Sequence, residues 1–169
     1  MDRGRLLRRD RAREGDEDQK EQVDDYGHGT HIAGLIAAGQ YVCFAVIARG
    51  TDAAIGLFQV RSLDPAFGTA EWEFALACEF WGTGFFIDGA RLVVDFTFDT
   101  IGAHRLEARA ALKNGRGSGA LRKVGAVQEV VLRKWFLRDG EYLDRALWAI
   151  LQDEWRETKS VSGPSVVVH

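Results

Sequence analysis

The chain is poor in proline, cysteine and methionine, with two, two and one among its 169 residues. Scarce proline leaves long stretches free to run as strand or helix. Cys43 and Cys78 lie far apart, which gives neither a disulfide framework nor a Cys/His metal spacing. Both are expected as buried free thiols in a reducing compartment. No apolar run approaches the length of a membrane span. The formal net charge of -3 supplies no basic footprint for nucleic acid. The N-terminus has no apolar core of a secretory signal, so a cytoplasmic protein is expected.

What is present is enough apolar sequence, 46%, for the core of one domain with tails. Residues 1–25 hold seven basic and nine acidic residues and read as a solvated, disordered tail. Residues 26–39 form an atypical lead-in, "YGHGTHIAGLIAAG", expected to carry a short helix over Ile32–Ala38. Residues 40–157 read as the folded domain. Within it "YVCFAVIA", "AIGLFQVRSL" and "TAEWEFALA" are three strands joined by short loops, an antiparallel meander. In the third, Glu71 and Glu73 share one face while Trp72 and Phe74 share the other. The segment "IDGARLVVDFTFDTIG" puts Ala90, Val93, Val94, Thr97, Phe98 and Ile101 on one helical stripe, with Gly102 placed to cap it. "HRLEARAAL" alternates as a strand. "KNGRGSGALRKVG" is a turn and a short helix stopping at Gly125. "VQEVVLRKWFL" and "EYLDRALWAIL" form a hairpin around "RDG". Residues 158–169 read as a loose tail. The order β-β-β-α-β-α-β-β makes an α+β, mixed α/β domain.

The stretch that carries chemistry is "FALACEFWGTGFFIDGA", a strand, a Gly-x-Gly turn and a helix. Backbone amides at a helix start have no intrahelical acceptor, and the helix dipole adds partial positive charge. Such a turn cradles phosphate or pyrophosphate, and it serves equally as a tight connection. The preceding meander and the lack of a second βαβ unit exclude a Rossmann pattern.

From about Tyr41 to Trp155 the sequence resembles the GNAT N-acetyltransferase superfamily, in particular the branch acting on ribosomal-protein N-termini. The resemblance rests on "AIGLFQVRSLD", on "AEWEFALACEFWGTGFFIDGARLVVDFTFDTIGAHRLEARA" and on "KNGRGSGALRKVGAVQEVVLRKWFLRDGEYLDRALWAILQDEW". It implies a mostly antiparallel sheet splayed where acetyl-CoA enters. It implies that the backbone of Phe74, Ala75 and Leu76 pairs with the pantetheine arm. It assigns Trp81, Gly82, Thr83, Gly84, Phe85 and Phe86 to the pyrophosphate and Asn114 to a further cofactor contact. Ser118 matches a serine that protonates the leaving thiolate, and Glu71 a glutamate that deprotonates the amine directly or through water. Asn114 before Gly115 is also a turn, and Ser118 can also cap the helix after it. No metal and no covalent intermediate is implied.

Two positions depart from the family pattern. Glu79 stands where Gln or Arg usually begins the pyrophosphate motif, and Glu73 stands where glycine is frequent. The usual opening strand and two helices, one wall of the acceptor site, are not evident, so the N-terminus reads as truncated or replaced. The resulting unpaired edge at the second strand invites dimerisation. "GHGTHIAGLIAA" resembles the histidine block of subtilisin-like proteases, with His28 as the base. No partner aspartate block or Gly-Thr-Ser-x-Ala nucleophile accompanies it, which leaves a protease fragment as a remote alternative. His28 and His31 alone are a poor metal pair. The expected activity is acetyl transfer to a primary amine. The second expectation is a CoA-binding module that has lost its acceptor wall.

Overall fold

The computed structural model describes residues 21–23, 30–37, 41–48, 50 and 53–161, with the backbone alone described for those before Tyr41 and for Val161. Eight strands form one sheet: β1 (Glu21–Val23), β2 (Thr30–Ala37), β3 (Tyr41–Ala48), β4 (Ala54–Ser62), β5 (Thr69–Leu76), β6 (Arg105–Ala111), β7 (Val127–Arg138) and β8 (Glu141–Leu151). Their order across the sheet is β1-β2-β3-β4-β5-β6-β8-β7. Every neighbouring pair is antiparallel except β5 and β6. That parallel pair is joined by helix α1 (Phe85–Asp95) and a π-helical extension, Phe96–Ile101, since parallel strands require a crossover. Helix α2 (Gly115–Lys123) follows β6, and helix α3 (Gln152–Val161) follows β8.

The meander, long helix, strand, short helix and hairpin lie where the residue patterns place them. Ala90, Val93, Val94, Thr97 and Phe98 are buried. They pack in one core with Val42, Phe44, Val46, Phe58, Val60, Trp72, Leu106, Trp148 and Ile150 of the sheet. The stripe continues into the wider turn, where the Thr97 hydroxyl donates to the Val93 carbonyl at 2.7 Å. Gly102, at φ +85°, ends the helix in the left-handed conformation that glycine tolerates. The β7–β8 hairpin turns on Asp139 and Gly140, both at positive φ, as a two-residue primed turn requires.

Four expectations are corrected. The helix expected over Ile32–Ala38 is strand. All eight residues of β2 pair with β3, from Thr30↔Ala48 to Ala37↔Tyr41. Thr30, Ile32, Gly34 and Ile36 thereby stand opposite the buried Ala48, Val46, Phe44 and Val42. A seven-residue helix nucleates poorly, whereas pairing with β3 gives the backbone of "THIAGLIA" partners along its whole length. β3 is therefore not the unpaired edge, and Glu21–Val23, expected as tail, adds a short strand beyond β2. The remainder of residues 1–29, His28 included, lies outside the described residues, as do 162–169.

Third, residues from Thr158 to Val161 continue α3 rather than a loose tail. Its first turn carries Asp153 and Glu154 and its last turn Lys159, charges that complement the helix dipole. It is anchored by the Trp155 indole N–H and Lys159 Nζ, both donating to Asp95 Oδ1 at 2.6 Å. Fourth, Cys43 and Cys78 are free but exposed. Cys43 falls on the face of β3 that alternates away from the core, and Cys78 opens the 3-10 turn after β5.

The β4–β5 connection is organised by one carboxylate. Asp64 accepts from the backbone N–H groups of Ala66, Gly68 and Thr69 at 2.9, 3.2 and 2.6 Å. These bonds, that from Thr69 foremost, hold its carboxyl below the ordinary 3.8. A carboxylate with a depressed folded pKa stabilises fully above its unfolded value, and that contribution is lost as the pH falls through the folded value. Asp64→Ala should therefore lower the melting temperature at pH 7, and the gap to the parent should narrow as thermal melts are repeated down to pH 3.

Candidate active site

β5 and β6 pair over only three positions, Thr69↔Arg105, Ala70↔Leu106 and Glu71↔Glu107. β5 then continues to Leu76 and β6 to Ala111 without pairing to each other. On its other side β5 stays bound to β4 as far as Gly56↔Leu76. The two strands thus open into a V, and Phe74, Ala75 and Leu76 run along one arm with no strand on the β6 side. The β4 neighbour approaches closely here. A Cβ at Gly56 would lie 2.6 Å from the Ala75 carbonyl oxygen, so only glycine fits.

The wedge that holds this arm is aromatic. Phe58 stacks on Trp72 at 5.8 Å, Phe74 meets Phe86 at 4.6 Å, and Phe58 meets Phe86 at 5.8 Å. Phe86 belongs to the first turn of α1, so the pile fixes the start of that helix beside the end of β5. Between them runs the 3-10 turn Cys78–Phe80, then Trp81 to Gly84. Gly82 and Gly84 have φ +81° and +100°, and Gly84 is the N-cap of α1 without a capping side chain. The Trp81 and Thr83 amides are spent on the carbonyls of Cys78 and Phe80. The amides of Gly82, Gly84, Phe85 and Phe86 have no acceptor among the described residues. Four free amides at a helix start form a cradle for an anion. Two carboxylates lie close by in sequence: Glu79, exposed, and Asp88, buried in the first turn of α1 with Oδ2 unpartnered.

Trp81 is half exposed, yet fixed at both ends. Its indole N–H donates to the Leu76 carbonyl at 2.8 Å, so that acceptor, expected to serve the cofactor, is already engaged. The guanidinium of Arg116, in the first turn of α2, lies 4.1 Å from the centre of the Trp81 ring. Asn114 is the N-cap of α2, its Oδ1 accepting from the Gly117 N–H at 2.9 Å. This is the capping role, which leaves its amide NH2 available. Ser118 is half-buried in the same helix. Its N–H donates to the Asn114 carbonyl, and its hydroxyl makes no hydrogen bond among the described residues.

Glu71 is at the apex of the V and nearly fully buried. One of its oxygens accepts from Arg61 of β4 and the other from Arg109 of β6. The pairing continues across the sheet: Arg109 also reaches Glu107 at 3.3 Å, and Arg105 binds Glu107 at 2.8 Å and Glu129 of β7 at 2.5 Å. The hydrogen bonds from Arg105 hold the Glu129 carboxyl below its usual range. Glu73, on the same face as Glu71, is exposed and enters no ion pair among the described residues. Sequence reading missed Arg61, Arg109, Arg116 and Gly56. The nearest signal was the placement of Arg61 and Glu71 on neighbouring strands, where opposite charges pair. Among the described residues no group of three or more His, Cys, Asp or Glu could hold a metal ion.

The family model for the acetyltransferase (GNAT) domain matches residues 8–127. This chain belongs to the GNAT acetyltransferase family. It is thereby an acyltransferase of a family that uses acetyl-CoA, and the free amides and the unpaired β5 arm fit that cosubstrate. The match runs through β1 and β2 instead of starting at Tyr41. Among curated relatives, the uncharacterized N-acetyltransferase p20 of Bacillus licheniformis is 27% identical over 73% of this chain and 70% of its own length. The putative ribosomal N-acetyltransferase YdaF of Bacillus subtilis is 24% identical over 62% of this chain and 57% of its own length. In fold, the chain matches the spermidine/spermine N-acetyltransferase SpeG of Vibrio cholerae, solved with manganese ions. The TM-score is 0.65 at 24% identity, over 70% of this chain and 69% of that one.

The cradle depends on Gly84, whose φ of +100° disfavours any side chain. Gly84→Ala in this GNAT domain should cost about 1–2 kcal/mol in urea unfolding. It should also weaken acetyl-CoA binding in isothermal titration by about tenfold, because the amides it carries move.

Proposed function

We propose that this chain transfers the acetyl group of acetyl-CoA to a primary amine, on a protein N-terminus or a small molecule, by direct attack. The observation that carries the reading is the V between β5 and β6, with four free amides where β5 turns into α1. Acetyl-CoA supplies an activated thioester; the amine nitrogen forms the new C–N bond as the C–S bond breaks. The Ser118 hydroxyl gives its proton to the departing thiolate, since it is half-buried and spends none of its bonds elsewhere. Glu71 removes the proton from the attacking amine, directly or through water. For this it must release Arg61, the more exposed of its two partners at 43% against 20% for Arg109. Asn114 steadies the start of α2 and turns its amide toward the cosubstrate. The free thiols of Cys43 and Cys78 suit a cytoplasmic setting.

The names of two similar proteins support an amine acceptor. YdaF is named for ribosomal substrates and SpeG for spermidine, and both offer a primary amine. We favour a protein N-terminus; the likeness to YdaF and the motifs quoted above support that reading. A second reading is favoured by the engagement of both Glu71 oxygens: a module that binds acetyl-CoA without turnover.

Acetyl-CoA titration combined with mass-spectrometric detection of an acetylated ribosomal N-terminal peptide, or of spermidine, separates the two. Transfer is expected, and binding without transfer to either acceptor would favour the second reading. Ser118→Ala should lower kcat by about 10²–10⁴-fold with acetyl-CoA affinity unchanged. Glu71→Gln should lower kcat similarly with acetyl-CoA affinity unchanged. A glutamate that only braces its arginines would lower the melting temperature and leave kcat within a few-fold of the parent.

A further inference from the structure

Arg116 stands where a purely structural arginine gains little. It lies in the first turn of α2, where the helix dipole is already positive and a cation is disfavoured. No carboxylate pairs with it among the described residues. Its recorded partner is the face of Trp81, 4.1 Å away. Trp81 is itself tied to the end of β5 by the indole bond to the Leu76 carbonyl. This contact spans the mouth of the V, because Trp81 follows one arm and Arg116 follows the other. The loop that Trp81 begins offers the free amides of Gly82, Gly84, Phe85 and Phe86. It has no cationic side chain of its own, and Glu79 and Asp88 flank it. A fork-shaped guanidinium suits a phosphate bidentately, and an aromatic face can hold it without neutralising it.

We propose that Arg116 is the phosphate-contacting cation of the cosubstrate site. Trp81 holds it over the glycine loop so that it neutralises the diphosphate of acetyl-CoA. The inference rests on the acetyl-CoA reading given above. It supplies the positive charge that Glu79 would otherwise deny the loop. Trp81 is then a positioning residue, acting through the guanidinium stacked on it.

The test is isothermal titration of the full chain with coenzyme A and with 3′-dephospho-coenzyme A at several salt concentrations. Arg116→Gln should weaken both ligands alike, by about ten- to a hundredfold, and should flatten the salt dependence. Arg116→Lys should recover part of the loss. Trp81→Ala should weaken binding in the same direction, and the double variant should be little worse than the weaker single one, because the two act as a unit. Thermal melts of each variant check that it is folded. Unchanged affinity in Arg116→Gln, or an unchanged salt slope with weaker binding, overturns the proposal. A loss confined to coenzyme A overturns the diphosphate assignment in favour of the 3′-phosphate. Failure of the parent chain to bind either ligand would instead sink the acetyl-CoA reading itself.

Discussion

The structure depends on an interruption, the end of pairing between β5 and β6 after Glu71↔Glu107. Backbone N–H and C=O groups removed from water must find partners, so two strands that part inside a domain need a reason to stay apart. The reason is packing on both sides. β4 holds β5 in register to its last residue. The aromatic pile of Phe58, Trp72, Phe74 and Phe86 locks the same arm against the start of α1. The crossover through α1 and its π-helical extension then returns the chain to β6 in the parallel sense. The glycine loop sits at the end of the open arm because the same pile fixes both its flanks.

The apex of the V is electrostatic where the arms are apolar. Glu71 is the last residue of β5 to pair with β6, and Arg109, beyond the pairing on β6, reaches back to it. Burying a charge is costly, and leaving one buried charge unpaired is costlier still. Arg61, Arg109 and Glu71 therefore stand or fall together, and through Glu107, Arg105 and Glu129 they reach from β4 to β7. This network crosses the sheet where β5 and β6 part.

Much of this was legible in the sequence because it is local. The apolar stripe from Ala90 to Phe98, the glycines at 82, 84, 102 and 125, and the Asp139-Gly140 turn each state a backbone requirement within a few residues. β2 was misread for a physical reason. "HIAGLIAA" is small and apolar enough to fit a helix, and only the eight pairings to β3 decide for a strand. α3 was missed because its one large apolar residue, Trp155, makes no periodic stripe; its anchor is Asp95, 60 residues earlier. The same holds at the site. Nothing near Arg116 in the sequence points to Trp81, and nothing near Glu71 points to Arg109, because both contacts are made by topology.

Charge is also sorted by the two ends of β5. On the face of Glu71, three arginines (61, 105 and 109) pair with three glutamates (71, 107 and 129), while Glu73 and Arg145 of the same face enter no ion pair among the described residues. At the far end, beyond Leu76, the free amides and Arg116 present positive charge. Under the proposed reaction, a polyphosphate approaching the far end of β5 meets that positive charge. Glu73, exposed on β5 past the last pairing with β6, stands outside the ladder of ion pairs that holds the strands.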